Sequence, residues 1–300
     1  MRTLLLGARG QLGRALFSAL SAKWPHWQLV ALGRDECDIA DSLSLVGALR
    51  RHRPDVIINA AAYTAVDRAE SEPDIAEITN HWAVMELARG AQAIGALLVH
   101  FSTDYVFDGT GTKPWVEADK PCPLNVYGAS KYAGEQAIQR LCPNHLIFRT
   151  SWLYGGVGTH FANTILARAG AGQDMSVVVD QWGAPTPVEW LASAVVLALA
   201  QALKEPDKRG LYHLSCQGET SWHGFASALV EEALRLGQLV QTATVHPIGS
   251  DEWPQQARRP LNSKLDCQLF STAFKIRLPQ WHDEMKGWLA SRAANISSQK

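Results

Sequence analysis

Short apolar runs alternate along the first half of the chain with stretches in which apolar residues recur every three to four positions. Residues 3–6 form one such run, and 28–32, 56–59, 97–102 and 146–148 repeat it. Between the first two, residues 11–22 place Leu12, Ala15, Leu16, Ala19 and Leu20 on one side, the period of an amphipathic helix. Residues 43–52, 75–90 and 126–141 read as helical too. Strands separated by helices imply right-handed crossovers and a parallel sheet covered on both faces. The unbroken stretch Val56, Ile57, Ile58 suits a strand buried on both sides. The pattern predicts an α/β protein with a doubly wound, Rossmann-like parallel sheet.

After residue 150 the rhythm changes. Gly and Pro become denser, around 155–156, 170–172 and 185–187. Residues 177–179 and 211–214 read as late strands, and 191–203 and 222–236 as helices. The expected division is a dinucleotide-binding domain over 1–150, rejoined by elements near 176–205, and a smaller, mainly substrate-binding C-terminal region over 151–300. The polar tail from 293 to 300 is expected to fray.

Composition narrows the class. With 300 residues, 47% of them hydrophobic, the chain can bury a real core and has room for about two domains. Its 19% charged residues and net charge of -1 exclude disorder and give no pull toward nucleic acid or an anionic membrane surface. No run approaches the roughly 18 apolar residues of a spanning helix. The early leucines stop at Gly7, with Arg9 and Arg14 close behind, so they read as a strand rather than a secretory core. Five widely spaced Cys and ten His without ligand spacing predict neither a disulfide framework nor a metal site. A cytoplasmic protein is expected.

Gly7, Gly10 and Gly13 close the first strand and open the first helix. Glycines at this spacing let the chain turn tightly, approach a pyrophosphate and pack helix on sheet, while the helix N-terminus offers free N–H groups. The same spacing also fits a strand–helix turn without ligand. Arg34 ends the second strand where a NAD site usually carries an acid. It suits a 2′-phosphate, which favours NADPH over NADH, or it is a solvated loop residue. Asp38 and Ile39 follow as an acid and an apolar residue that could frame adenine. Ala60, Ala61 and Ala62, after Asn59, leave room for a cofactor against the sheet edge.

Tyr127 and Lys131 lie four apart on one helical face, and Ser102, Thr103 and Asp104 end the strand before them. Ligands of such sheets bind beyond the carboxyl ends of the strands, where these groups would converge. Hydride addition to a ketone creates an alkoxide that must be protonated. A nearby ammonium lowers the pKa of a phenol, ordinarily about 10, and a Thr hydroxyl can hold the carbonyl oxygen. Lys131 is therefore expected to acidify Tyr127 and to reach the nicotinamide ribose. His100, in a buried strand, reads as a core histidine.

These motifs resemble the extended short-chain dehydrogenase/reductases, and among them the dTDP-4-dehydrorhamnose reductases. The likeness extends through residues 53–67 (RPDVIINAAAYTAVD), 69–73 (AESEP), 102–107 (STDYVF), 123–128 (PLNVYG) and 130–135 (SKYAGE). It continues through 148–154 (FRTSWLY), 180–186 (DQWGAPT), 210–213 (GLYH) and 259–263 (RPLNS), in family order over nearly the whole chain. The resemblance implies reduction of the 4-keto group of dTDP-4-dehydro-β-L-rhamnose to dTDP-β-L-rhamnose, with NADPH as cofactor and NADH as the alternative. It implies Tyr127 as proton donor, Lys131 as its tuner and Thr103 as the carbonyl-orienting group. Gly10, Gln11, Leu12, Asp38, Ile39, Ala62, Tyr63 and Thr64 would contact the cofactor, and Asp104 and Trp152 the sugar nucleotide. Trp152 also fits plain core packing. Arg258 and Arg259 either clamp the substrate diphosphate or sit solvated on a loop.

The chain departs from some family members where an acid two residues after the third glycine helps share magnesium between subunits; here that residue is Ala15. Glu189 keeps another of those acids, so a magnesium-linked homodimer stays open and no metal ligand is assigned. Two rival functions remain: an epimerase or dehydratase of the same superfamily, for which Asp104 is the one charged candidate in the Thr103 loop, and a cofactor-binding regulatory subunit on the same fold.

Overall fold

The computed structural model describes residues 1–240 and 243–297. Its longer strands are β1 (Arg2–Leu6), β2 (Gln28–Leu32), β3 (Val56–Asn59), β4 (Leu97–Thr103), β5 (His145–Thr150), β6 (Met175–Val178), β7 (Gly210–His213) and β8 (Val245–Ile248). The helices are α1 (Gln11–Lys23), α2 (Ser42–His52), α3 (Val66–Ser71), α4 (Pro73–Glu77), α5 (Ala83–Ile94), α6 (Val126–Leu141), α7 (Phe161–Gly170), α8 (Val188–Ala202), α9 (Trp222–Arg235), α10 (Gln268–Phe274) and α11 (Trp281–Ser297).

Six strands form one parallel sheet in the order β7-β5-β4-β3-β1-β2. Leu4 of β1 stands opposite both Val30 and Ile57, and β3, β4 and β5 are buried along their whole length. One face packs Leu5, Ile58, Val99 and Phe148 under α1, α8 and α10; the other packs Leu4, Ile57, Leu98 and Ile147 under α2, α5 and α6. Two covered faces explain why these strands read as continuous apolar runs. A third core joins α7, α9 and α11 around Phe225, Leu229 and Met285.

Most early elements fall where their pattern places them, and local chemistry sets their ends. Asp41 caps α2 by accepting from Leu43 N at 3.0 Å, and α5 stops at Gly95, whose φ is +70°. The helix expected over 75–90 is instead α4, a π-helical turn (Ile78–Trp82) and α5. Asn80 in that turn spends its carboxamide on the loop after β3: Oδ1 accepts from Tyr63 N and Nδ2 donates to Tyr63 O, both at 2.9 Å. Such single π turns recur at functional sites.

The late elements depart further. β7 joins the main sheet beside β5, and α8 packs against α1, whereas β6 pairs with β8 outside that sheet. β8 (VHPI) escaped the pattern because a His and a Pro interrupt it. α7 lies inside a segment read as irregular from the glycines that bracket it, and α10 and α11 also went unanticipated. α11 runs to Ser297, into the expected polar tail; residues 298–300 lie outside the described residues.

Candidate active site

The glycine turn is built from backbone. Gly7 has φ +73°, and a Cβ there would stand 2.5 Å from Ala61 N. A Cβ on Gly13 would stand 2.1 Å from Gly7 O. Gly10 begins α1 without a side-chain cap, leaving the N–H groups of the first turn to serve a ligand. A cavity of about 240 Å³ opens here, lined by Gly7, Gly10, Arg34, Asp38, Ile39, Ala61, Ala62 and Tyr63 among the expected residues. Of the others, Leu12 and Gly13 are buried in α1, Thr64 is exposed, and Gln11 Nε2 donates to Gly155 O at 2.8 Å.

Two guanidinium groups flank this cavity. Arg34 is largely exposed, with Nε 3.2 Å from Asp38 Oδ2. Arg9 was not anticipated as a site residue. It lies between Asp35 and Glu36, at 2.6 Å from each, and also lines the cavity. Its signal was a cation inside the glycine motif. Asn80 was missed as well: flanked by Thr79 and His81, it carries no mark in the sequence of the burial the structure shows.

β4 carries the chemistry to its C-terminal tip. Thr103 Oγ1 accepts from Tyr105 N at 3.2 Å and donates to Asp104 Oδ1 at 3.1 Å. Asp104 is 3% exposed, and among the described residues its buried Oδ2 has no hydrogen-bond partner, although the Ser263 hydroxyl lies near enough to favour the charged carboxyl. Burial pushes its pKa up to about 7. Tyr127 sits in the first turn of α6, which Asn125 caps by accepting from Gly128 N at 2.8 Å. Gly128 lets the helix close on the β4 loop, since a Cβ there would fall 2.2 Å from Tyr105 O. Farther along α6, Glu135 meets Arg149 of β5 in a buried pair, with Nη2–Oε2 at 2.7 Å and Nε–Oε1 at 2.9 Å.

The expected acidification of Tyr127 by Lys131 is absent from this arrangement. Burial pushes the phenol up to about 12, with the neighbouring Thr103 hydroxyl partly opposing the rise. Lys131 turns elsewhere: Nζ donates to Phe101 O at 2.6 Å and lies 3.3 Å from His100 Nε2. Without a cation facing the phenol, desolvation decides its pKa. Burial also lowers Lys131 to about 8.

Tyr127 is tied to cavities on two sides. Asn80 Nδ2 donates to Ser130 Oγ, linking the Tyr127 turn to Tyr63 in the glycine cavity. Tyr105 packs edge-on to Tyr127 at 6.0 Å and lies against Arg259, which lines a second cavity of about 310 Å³. Phe161, Ile165, Val177, Trp222 and Trp253 make its apolar walls, with Arg168, Gln181 and Gln255 as polar groups. Arg259 already grips Asp67 through both terminal nitrogens, at 3.0 and 2.7 Å, while Arg258 is exposed. Trp152, at φ +48°, stacks on Trp222 with ring centroids 3.7 Å apart and is 8% exposed. Trp222 therefore presents its indole to the cavity, and Trp152 backs it.

Glu189 Oε1 accepts from Gly156 N at 2.7 Å. Among the described residues no cluster of three His, Cys, Asp or Glu side chains is placed to hold a metal. No described helix is long and apolar enough to cross a membrane.

A family profile described as RmlD substrate binding domain matches residues 1–293. The chain belongs to this family. It is 44% identical to the dTDP-4-dehydrorhamnose reductase of Salmonella typhimurium strain LT2, over 96% of this chain and 97% of that one. Among solved structures it resembles the dTDP-4-dehydrorhamnose reductase of Bacillus anthracis in complex with NADP. The TM-score is 0.87 at 33% identity, covering 97% of this chain and 99% of the other. A Clostridium acetobutylicum dTDP-4-dehydrorhamnose reductase superposes with TM-score 0.88 at 33% identity, covering 98% and 100%.

Proposed function

We propose that this chain is an NADPH-dependent oxidoreductase that reduces the 4-keto group of dTDP-4-dehydro-β-L-rhamnose to give dTDP-β-L-rhamnose. The observation that carries the reading is the position of Tyr127, Thr103 and Asp104 at the tip of β4, tied to the glycine cavity on one side and the second cavity on the other.

The glycine cradle fits a dinucleotide, because side chains at Gly7 and Gly13 would fill it. Gly7, Gly10 and the first turn of α1 would hold the pyrophosphate, Asp38 and Ile39 the adenosine, and Arg34 with Arg9 the 2′-phosphate. Bound NADPH supplies the hydride. The second cavity holds the nucleotide, its aromatic walls against the base and Arg168 and Arg259 toward the diphosphate. Asp104 Oδ2 accepts from a sugar hydroxyl.

Tyr127 carries its proton at neutral pH, since its pKa stands near about 12. A proton donor must be protonated before the reaction, so the high value suits reduction. Thr103 aligns the carbonyl, Tyr127 gives its phenolic proton to the forming alkoxide, and Lys131 steadies the phenolate by turning toward it and the nicotinamide ribose.

In this reading residues 1–150, with α8 and β7, form the cofactor half, and most of 151–300 the substrate half. A reducing, cytoplasmic setting fits five free cysteines, four of them buried. The test is NADPH oxidation on dTDP-4-keto-6-deoxyhexose, with and without a preceding 3,5-epimerase. Epimerase-dependent oxidation is expected. Tight NADPH binding without oxidation of either sugar would instead mark a regulatory subunit.

A further inference from the structure

A directed hydrogen-bond chain runs under the active site. Ala61 N–H donates to Asn59 Oδ1 at 3.1 Å, which orients the carboxamide with its NH₂ toward His100 Nδ1, 3.2 Å away. A neutral imidazole has one donor and one acceptor nitrogen. With Nδ1 accepting from Asn59, the hydrogen sits on Nε2. Lys131 Nζ stands 3.3 Å from that Nε2 while donating to Phe101 O. An ammonium has donors only, so it would set N–H against N–H. A neutral amine removes the conflict: its lone pair accepts from Nε2–H and one N–H keeps the Phe101 carbonyl. Protonating the imidazole instead would turn Nδ1–H against the Asn59 NH₂.

Every member of the chain is buried: Asn59 is 1% exposed, His100 0% and Lys131 2%. Unsatisfied donors there are costly, which gives the chain its direction. Burial holds the imidazole well below its ordinary range. Among the titratable groups near Lys131, Tyr127 and Glu135 share its helix and His100 comes from β4; Arg149 of β5 reaches this group through its pairing with Glu135, and the π turn presents the uncharged Asn80 to Ser130. Glu135 is the carboxylate that favours the ammonium, and its pairing with Arg149 blunts that pull.

We propose that Asn59 and His100 are positioning residues that favour the neutral amine of Lys131, turned from Tyr127, and that in the alkaline range, where this amine prevails, cofactor binding recruits Lys131 together with a proton. The proton comes from the buffer and adds to the Nζ lone pair as the contact with Nε2–H is given up. The inference rests on the reading that Lys131 engages the nicotinamide ribose and Tyr127.

Calorimetry of NADPH binding in two buffers of different ionisation enthalpy reads the proton count directly. Lys131 is expected to charge on binding only where it rests uncharged, so uptake is expected to be absent near about pH 6 and to grow toward one proton per site as pH climbs past about 8. Asn59→Asp reverses the chain, since its carboxylate accepts from both Ala61 N–H and His100 Nδ1–H. Nε2 then accepts from an ammonium, and the uptake should vanish while NADPH still binds. Lys131→Met should abolish uptake and weaken binding. Wild-type binding without pH-dependent uptake would overturn the inference and leave the reading standing. So would uptake that survives in Asn59→Asp or in Lys131→Met. Lys131→Met with unchanged NADPH affinity and turnover would overturn the reading itself, as would failure of the wild type to bind NADPH.

Discussion

The two ends of the active site are built by different means. At the cofactor end, the part that would meet the pyrophosphate is made of backbone N–H groups and small side chains, fixed by a strand–turn–helix with no room for a Cβ at Gly7 or Gly13. At the acid–base end, recognition and chemistry belong to long or titratable side chains, and each has a competing partner. Lys131 leans on His100 and Phe101 O, Thr103 donates to Asp104, and Arg259 grips Asp67. The first end is rigid by construction. The second must exchange internal hydrogen bonds for contacts with substrate and cofactor.

The largest predicted effect is at the acid–base end. Tyr127→Phe should lower kcat by about 10²–10⁴-fold, the usual worth of a positioned proton donor, with NADPH affinity unchanged in direct binding. Near-normal turnover would remove Tyr127 from the role of acid. Gly13→Ala makes the contrasting change: its Cβ collides with Gly7 O at 2.1 Å. It should destabilise the fold by about 1–3 kcal/mol and weaken NADPH binding by about tenfold or more, read by thermal melts and titration. A fully stable variant that binds normally would show that the turn is not rigid.

Much of the first end was legible in sequence because backbone constraints leave a residue-type signature. Glycines appear where a Cβ collides, and alanines line the tip of β3. The second end was legible in membership but not in conformation. Thr103, Asp104, Tyr127 and Lys131 all gather near β4 and α6, yet the sequence did not reveal that Lys131 faces His100 and that burial raises Tyr127. Rotamers and desolvation arise only once distant segments pack. Trp152 shows the same limit: which of two stacked indoles faces the cavity depends on α9, far along the chain. Of the helices missed after residue 150, α7 is bracketed by glycines and α10 spans only seven residues; α7 and α11 take their core from contacts with α9, whereas α10 packs beneath the main sheet.

A smaller effect is expected at Asp104, whose buried carboxyl titrates near about 7. If its charged form binds the sugar, kcat/KM should rise with pH from about 6 to 8, because burial raises the pKa and ionisation is completed only above it. Asp104→Asn should flatten that limb and raise KM; an unaltered profile would assign the limb to another group. The smallest effect belongs to Arg34. Exposed and already near Asp38, it should contribute only about 1 kcal/mol to the preference for NADPH, so Arg34→Ala should narrow NADPH-to-NADH selectivity by about fivefold. Unmoved selectivity would leave the 2′-phosphate to Arg9.

In the proposed reaction hydride passes directly to a sugar ketone at the tip of β4. Turnover with NADPH deuterated at the reactive nicotinamide position tests it most directly. One deuterium per turnover should appear at sugar C4 in a dTDP-6-deoxyhexose product. Sugar turnover without transferred label, or with solvent hydrogen at C4, would contradict the account.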